Sequence, residues 1–565
     1  MRKTIALVLA LALALTMFAG AALGEGGADE HTIEMKEIPV YMGEEEMGAT
    51  LTLFFLDGAY DLPYIEADDW LELMQSLWNE ENITLETSGS TATYTRGEDN
   101  TMVVDFYANT IEFVDYDLFM QLPSANTLLD MLVLDCFNEA GEPTLFQRNK
   151  SFSFDRYGDI KTLRLGDYSI ELVHQDGFYL MPLQTMFDFL MAPKTGQNAF
   201  YNGQCLMIAQ AVNPNSELYY AAPTGDRSEA LAKYGYGELC LMLDSMYGLK
   251  DVHDIHSFAQ MFYEIGFDEP LSGASAEDAD ISIYALINSY LDDIHSEWGA
   301  YSYLTGQSET KYHTGPSETR WWRHVDDYGR ARAEAYPDGW LAYEEVGNTA
   351  YITFDQFKVE ADNSEDYYDP DLLAENPVWD TISLILYAHQ QINREDSPIE
   401  NVVIDLSNNT GGNLDAAVLV IAWYLGEAST SIKDTFTGAT SNSIYRADVN
   451  LDRVFDDKDT VADKNLFCLI SPVSFSCGNL VPCAFKESGK VTLLGRTSGG
   501  GSCMVLSASS AWGTSFKLSS PYRISFLKNG AFYDIDRGAE PDYPISAPAK
   551  FFDREALTEY INSLY

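Results

Sequence analysis

The stretch Asn465–Gly495, NLFCLISPVSFSCGNLVPCAFKESGKVTLLG, reads as a strand, a turn, a helix and a second strand. NLFCLIS and VTLLG are short, uncharged apolar runs bounded by turn residues, the pattern of strands covered on both faces. The helix is expected over Gly478–Glu487. Ser476 stands in the turn just before it. Serine favours the N-cap of a helix. The same position puts a hydroxyl beside the N–H of Cys477 and the positive end of the helix dipole, where an oxyanion is stabilised. The stretch alone leaves both roles open.

The residues upstream repeat the scheme. TAYITFDQF (349–357) and NVVIDLSNNTGGN (401–413) each open with an apolar strand. Helices are expected in VWDTISLILYAHQQINR (378–394) and LDAAVLVIAWYLG (414–426). Apolar strands alternating with helices predict a largely parallel, buried sheet over 343–565. Gly411 and Gly412 end the second of these strands in a turn where glycine permits close approach and positive φ, so their N–H groups can face a developing oxyanion.

These segments, in this order, resemble the tail-specific (C-terminal-processing) serine protease family. Val402–Gly412 matches its VVIDLRxNxGG element, with Asn409, Gly411 and Gly412 in place. Ser474–Gly500 matches the nucleophile segment, and Ser476 falls on the nucleophile. RGAEPDYPI (537–545) resembles the late GxxPDxxV element, and YLDDIHSEW (290–298) resembles LDDPHSxY. The resemblance covers about 230–550 and implies a crotonase-like α/β catalytic core, with an oxyanion hole from Gly411, Gly412 and the N–H of Cys477. Many members pair the serine with a lysine twenty-five residues on; that place is Gly501 here, and the glutamate after the nucleophile motif is Asn479. A serine needs a base to take its proton. The tricorn-like branch of the family uses histidine, in the segment matched by Asp293–Ser296, which makes His295 the candidate base. The acid that orients it belongs near the late element, where Asp536 is favoured over Asp534. Members with tail selectivity carry a PDZ domain after the histidine segment. About forty-five residues separate Ser296 from Tyr343, too few for a domain, so PDZ-type tail recognition is not expected.

The remaining chain sets the context. Residues 37–230 alternate short strands with turns and hold two similar segments, LFFLDGAYDLPYIEADDWLELM (53–74) and LVHQDGFYLMPLQTMFDFLM (172–191). They match at Asp57/Asp176, Gly58/Gly177, Tyr60/Tyr179, Pro63/Pro182 and Trp70/Phe189, which predicts a duplicated, β-rich α+β region. It resembles copper-amine-oxidase N-terminal repeats, without the histidines of a copper site. Residues 231–300 have helical spacing, and 301–342 read as a loop or lid. Residues 1–24 are expected to be a signal peptide: Arg2 and Lys3, apolar Ile5–Phe18, then small Ala19–Gly24. No cysteine near the cleavage region invites a lipid anchor, and no later run reaches the roughly eighteen apolar residues of a spanning helix.

The 565 residues carry a formal charge of −53, a field that repels nucleic acid and anionic membranes. Seven cysteines leave one unpaired whatever the pairing, and none is spaced as a zinc ligand. DVNLDRVFDDKD (448–459) has oxygen side chains at calcium-loop positions 1, 3, 5, 9 and 12, but Arg453 stands where that loop wants glycine. A solvated acidic loop is expected there, and neither metal nor cofactor is required. The sequence is thus read as a multidomain, exported serine endopeptidase acting on protein or peptide. Its rival is a catalytically inactive protein that uses the repeats to hold a cell-wall or protein partner.

Overall fold

The structure is a computed structural model that describes residues 30–121, 125, 127–307 and 315–565. The expected signal peptide, and 308–314 of the expected lid, lie outside the described residues. The chain forms two compact units that interleave along the sequence. One comprises residues up to 120, 158–315 and 505–521, and the other 121–157, 316–504 and 522–565.

In the first unit the two Asp-Gly segments adopt the same local structure. Glu45–Leu56 and Val173–Gln175 are strands, and each is followed by Asp-Gly with both residues at positive φ: Asp57 52° and Gly58 78°, Asp176 56° and Gly177 86°. Such a pair matches the twist of a tight hairpin. Each chain then continues as a strand, Tyr64–Glu66 or Phe178–Pro182, and enters a helix. These two strands pair antiparallel, Pro182 opposite Tyr64 and Leu180 opposite Glu66, so the two segments meet as the second and third strands of one seven-stranded sheet. A second, five-stranded antiparallel sheet runs from Ile83 to Arg164. Helices Glu229–Met246, Phe258–Ile265 and Ala276–Ala285 follow, each with a serine N-cap whose side chain accepts a backbone N–H. Asp280 is fully buried and accepts hydrogen bonds from Ser302 Oγ (2.8 Å), Thr305 Oγ1 (2.6 Å), Trp512 Nε1 (2.9 Å) and Thr514 Oγ1. A buried carboxylate is tolerated only when satisfied in this way.

The second unit is built on a six-stranded sheet in the order Tyr343–Val346, Thr349–Thr353, Asn401–Asp405, Asn465–Ile470, Val491–Gly495 and Tyr543–Pro544. Only the first pairing is antiparallel; the others are parallel. Thr381–Ile392, Leu414–Leu425 and Cys477–Ser488 are the crossover helices. Leu414–Leu425 is apolar nearly all round because its residues up to Tyr424 are all buried. Asn413 caps its start through Asp415 and Ala416 N–H, and Gly426, at φ 91°, ends it. The expected parallel sheet and its helices are therefore present.

Two expectations are corrected. Residues 121–157 do not stay with the β-rich region: Phe146–Arg148 and Phe154–Arg156 pair with Thr440–Ala447, and Asp415 accepts the N–H of Leu134 at 2.9 Å. Pairing over some 290 positions leaves no local trace in the sequence. The expected loop 301–342 contains a twenty-residue helix, Pro316–Ala335. Its buried face is narrow, Trp321 and Tyr328 seven residues apart, and the charged residues around them mask the period.

A buried ion pair closes the sheet. Arg554 donates to Asp405 Oδ2 at 2.6 Å and to Thr353 Oγ1 at 3.1 Å, and its guanidinium lies 4.5 Å from the Tyr351 ring centroid. Removing one partner of such a pair leaves an uncompensated buried charge. Arg554→Met is expected to cost about 3–5 kcal/mol of stability, read by urea denaturation. The double variant with Asp405→Asn should recover most of that loss.

Candidate active site

The loops that follow the parallel strands meet at the carboxyl edge of the sheet, where open α/β sheets place their ligands. Four of them are laced together. The N–H of Phe475 donates to Asn409 O (3.1 Å), that of Ser476 to Gly500 O (2.9 Å), that of Gly499 to Ser474 O (2.7 Å), and that of Phe357 to Gly411 O (2.8 Å). Side chains add to the lacing: Ser471 Oγ donates to Ser407 O and Ser474 Oγ to Leu406 O.

Ser476 is held at φ 55° and ψ −124°, a conformation that costs a non-glycine residue of order 1–3 kcal/mol. It occupies the N-cap position of Cys477–Ser488, yet its side chain makes no capping bond. Among the described residues its hydroxyl has no hydrogen-bond partner at all, and the residue is half-buried. The capping role therefore lacks the bond that would justify it.

Gly411 and Gly412 lie against this serine. A Cβ on Gly411, whose φ is 101°, would stand 2.6 Å from Ser476 Cβ, so glycine is needed there for the approach. The Gly411 N–H donates to Asn409 Oδ1 at 2.9 Å. The N–H groups of Gly412 and Cys477 make no hydrogen bond among the described residues. The Cys477 thiol donates to Gly412 O, and burial pushes it up to about 12, so it stays protonated. All seven cysteines are buried and unbridged.

Asp536 is in the same unit. Its carboxylate accepts from Ser502 N (2.7 Å), Ser502 Oγ (3.1 Å) and Arg523 Nη2. Burial raises its pKa, against the pull of Arg523. Asp534 accepts from the same guanidinium at 3.1 Å. Arg523 and Ser502 fix this acid, and neither belongs to a motif; only the run of hydroxyls around them in SPYRISF and GGGSC hints at a polar cluster. Gly501, at the place of the family lysine, has φ 89°, and a Cβ there would lie 2.6 Å from the Phe475 ring. Asn479, at the place of the glutamate, donates to Ile535 O and accepts from Ser498 Oγ.

His295 is in the other unit, in the turn after Leu286–Leu291. Asp293 shapes that turn by accepting from His295 N (3.1 Å), Ser296 N (2.9 Å), Ser296 Oγ (2.7 Å) and Ser519 Oγ (2.7 Å), and Tyr247 Oη donates to it at 2.8 Å. Burial pushes the His295 imidazole down to about 4, opposed by the charge of Asp293, so the ring is neutral near pH 7.

In the 448–459 loop, Asp448 accepts from Asp452 N, Arg453 N and Tyr368 Oη, and Asp459 from Val449, Asn450 and Asp456 N. Among the described residues no group of three or more His, Cys, Asp and Glu side chains is placed to hold a metal ion. Nor is any helix among them long and apolar enough to cross a membrane.

The model of peptidase family S41 matches residues 348–545, the span that carries five strands of the six-stranded sheet and Ser476. No curated protein matches the chain. Similar solved structures include a photosystem II D1 C-terminal processing protease (19% identity, 37% of this chain and 46% of that one, TM-score 0.25). A lipoprotein from Streptococcus agalactiae is another (15% identity, 54% and 88%, TM-score 0.31), and the tricorn protease a third (16%, 42% and 19%, TM-score 0.24). The chain thus spans less than half the length of the first of these. The match to peptidase family S41 is thus confined to residues 348–545, the part of the chain that holds the Ser476 turn and the Gly411–Gly412 loop.

Proposed function

We propose that the protein is an exported serine endopeptidase with a crotonase-like core, cleaving peptide bonds through Ser476. The observation that carries this is the Ser476 turn: a hydroxyl with no partner, on a strained residue, flanked by two backbone N–H groups that make no other bond. Strained backbone persists where the surroundings over-determine it, and active sites are a common place for it.

In this reading Ser476 Oγ attacks the substrate carbonyl carbon while His295 Nε2 or Nδ1 takes the hydroxyl proton. The carbonyl oxygen gains the negative charge and is held by the N–H of Gly412 and of Cys477, with the dipole of Cys477–Ser488 behind them. Gly411 contributes the close approach rather than a donor, since its N–H serves Asn409. The C–N bond then breaks, the imidazolium returns the proton to the leaving amine, and an acyl-serine remains. Water attacks it by the same route in reverse order of partners. A base must be neutral to accept a proton, and the depressed pKa of His295 supplies that form across the physiological range. Asp536 is the acid assigned to orient the imidazole, and Arg523 and Ser502 keep its carboxylate from turning. Export follows from the N-terminal sequence, and substrates are proteins or peptides chosen without a PDZ-type tail site.

Fluorophosphonate labelling of the purified protein is expected to be abolished by Ser476→Ala. His295→Ala should slow it about 10²–10⁴-fold. Labelling unaffected by either change would refute the pair. The pH profile is a separate expectation. Because the imidazole is held down, the labelling rate should stay level from about pH 8 to about pH 5 and fall with a midpoint of about 4, instead of near the 6.5 of a free imidazole.

A further inference from the structure

Beside the Gly411–Gly412 turn lies a cavity of about 470 Å³ within the peptidase unit, in the size range of small-ligand sites. Its lining includes Val325, Trp340, Phe354, Trp379 and Leu384. Asn408 and Thr410 line it too, and they flank Asn409, whose carbonyl receives the Phe475 N–H one residue before Ser476. The cavity therefore opens on the turn that carries the proposed oxyanion donors.

Its charged groups are already answered. Arg332 forms a two-pronged pair with Asp355, 2.6 and 2.5 Å. Asp380 accepts from Ser383 N, Tyr367 Oη and Glu360 N, and Lys358 is exposed to solvent. Asn408 is different. It is only 8% exposed, and its buried Nδ2 has no hydrogen-bond partner. A buried amide left without a partner costs about 1–3 kcal/mol until a ligand meets it.

We propose that this cavity is a side-chain subsite for glutamine in the peptide substrate, with Asn408 as the specificity-determining residue. The assignment rests on the peptidase reading given above. Glutamine fits on three counts. Its aliphatic stem suits the walls of Phe354, Leu384 and Val325. Its primary amide carries both a donor and two acceptor lone pairs, so it pairs with an asparagine amide whichever way that amide is turned. It is neutral, and the cavity offers no unpaired buried charge to hold an ion. Methionine and leucine match the stem but leave Asn408 unpaired, and a site built to hydrogen-bond its ligand rejects such analogues.

The test is retention of a pool of short random peptides on immobilised full-length protein carrying Ser476→Ala, which binds without cleaving. Glutamine is expected to be enriched about tenfold over methionine and leucine in the retained pool. Adding Asn408→Leu should abolish that enrichment, with a thermal melt to show that the variant folds. If it does not fold, Val325→Trp fills the cavity from another lining position and should abolish the enrichment instead. A retained pool without glutamine enrichment, no retention at all, or enrichment that survives these changes would each overturn the proposal. Fluorophosphonate labelling of the Ser476 parent separates the two readings. A labelled parent without enrichment loses the subsite alone, and an unlabelled parent with enrichment loses the peptidase reading and keeps the pocket.

Discussion

Asn409 ties together the ends of three strands, and the geometry of the carboxyl edge of the sheet depends on it. Its Nδ2 donates to Phe354 O, beyond the Thr349–Thr353 strand, and its Oδ1 accepts the N–H of Gly411. Its own carbonyl takes the N–H of Phe475, beyond Asn465–Ile470. The residue is fully buried, so none of these bonds competes with water. Gly478, in the first turn of the Cys477–Ser488 helix, packs so closely that a Cβ would lie 2.7 Å from the same Oδ1. One asparagine thus sets how near the glycine turn comes to the serine turn, and the unfavourable φ of Ser476 is held by these contacts rather than by its own side chain.

A second constraint is electrostatic. Eighty-seven acidic residues face only thirty-four lysines and arginines, so cations are scarce, and two of them are spent on a buried carboxylate of the sheet and a half-buried one near Ser502. Arg554 neutralises Asp405 beneath the strand ends, and Arg523 joins Asp536 to Ser502. Arginine suits both places because its fork reaches several acceptors while remaining charged. Elsewhere buried acids are met by neutral donors, as Asp280 is by serine, threonine and tryptophan.

The core was legible where physics writes locally. Uncharged runs such as NVVID and NLFCLI have few uses other than doubly covered strands, and Asn413 and Gly426 mark the two ends of a helix in the sequence itself. The ordered motifs led to Ser476, Gly411 and Gly412, and the structure sets the glycine turn against the serine turn. It was not legible that the Gly411 N–H is engaged by Asn409, since that depends on how the loop closes. Nor was the helix Pro316–Ala335, whose apolar face is two aromatic residues among charges. The place of 121–157 was hidden for a different reason: strand pairing across hundreds of positions is set by the finished sheet, and its own short runs match many partners.

The interleaving of the two units has a consequence for the order in which the chain can become structured. Asp280 is buried in the first unit, yet two of its donors, Trp512 and Thr514, lie more than 230 positions further on. Until Val505–Pro521 has been synthesised, that carboxylate has neither its indole nor its threonine partner, and the long strand Ser515–Ser525 has not begun. Domains of most chains settle one after another as they emerge. Here neither unit owns a contiguous stretch of message, so both must wait for the last sixty or so residues, and a nascent chain stopped short of them would expose the half-built sites of both at once.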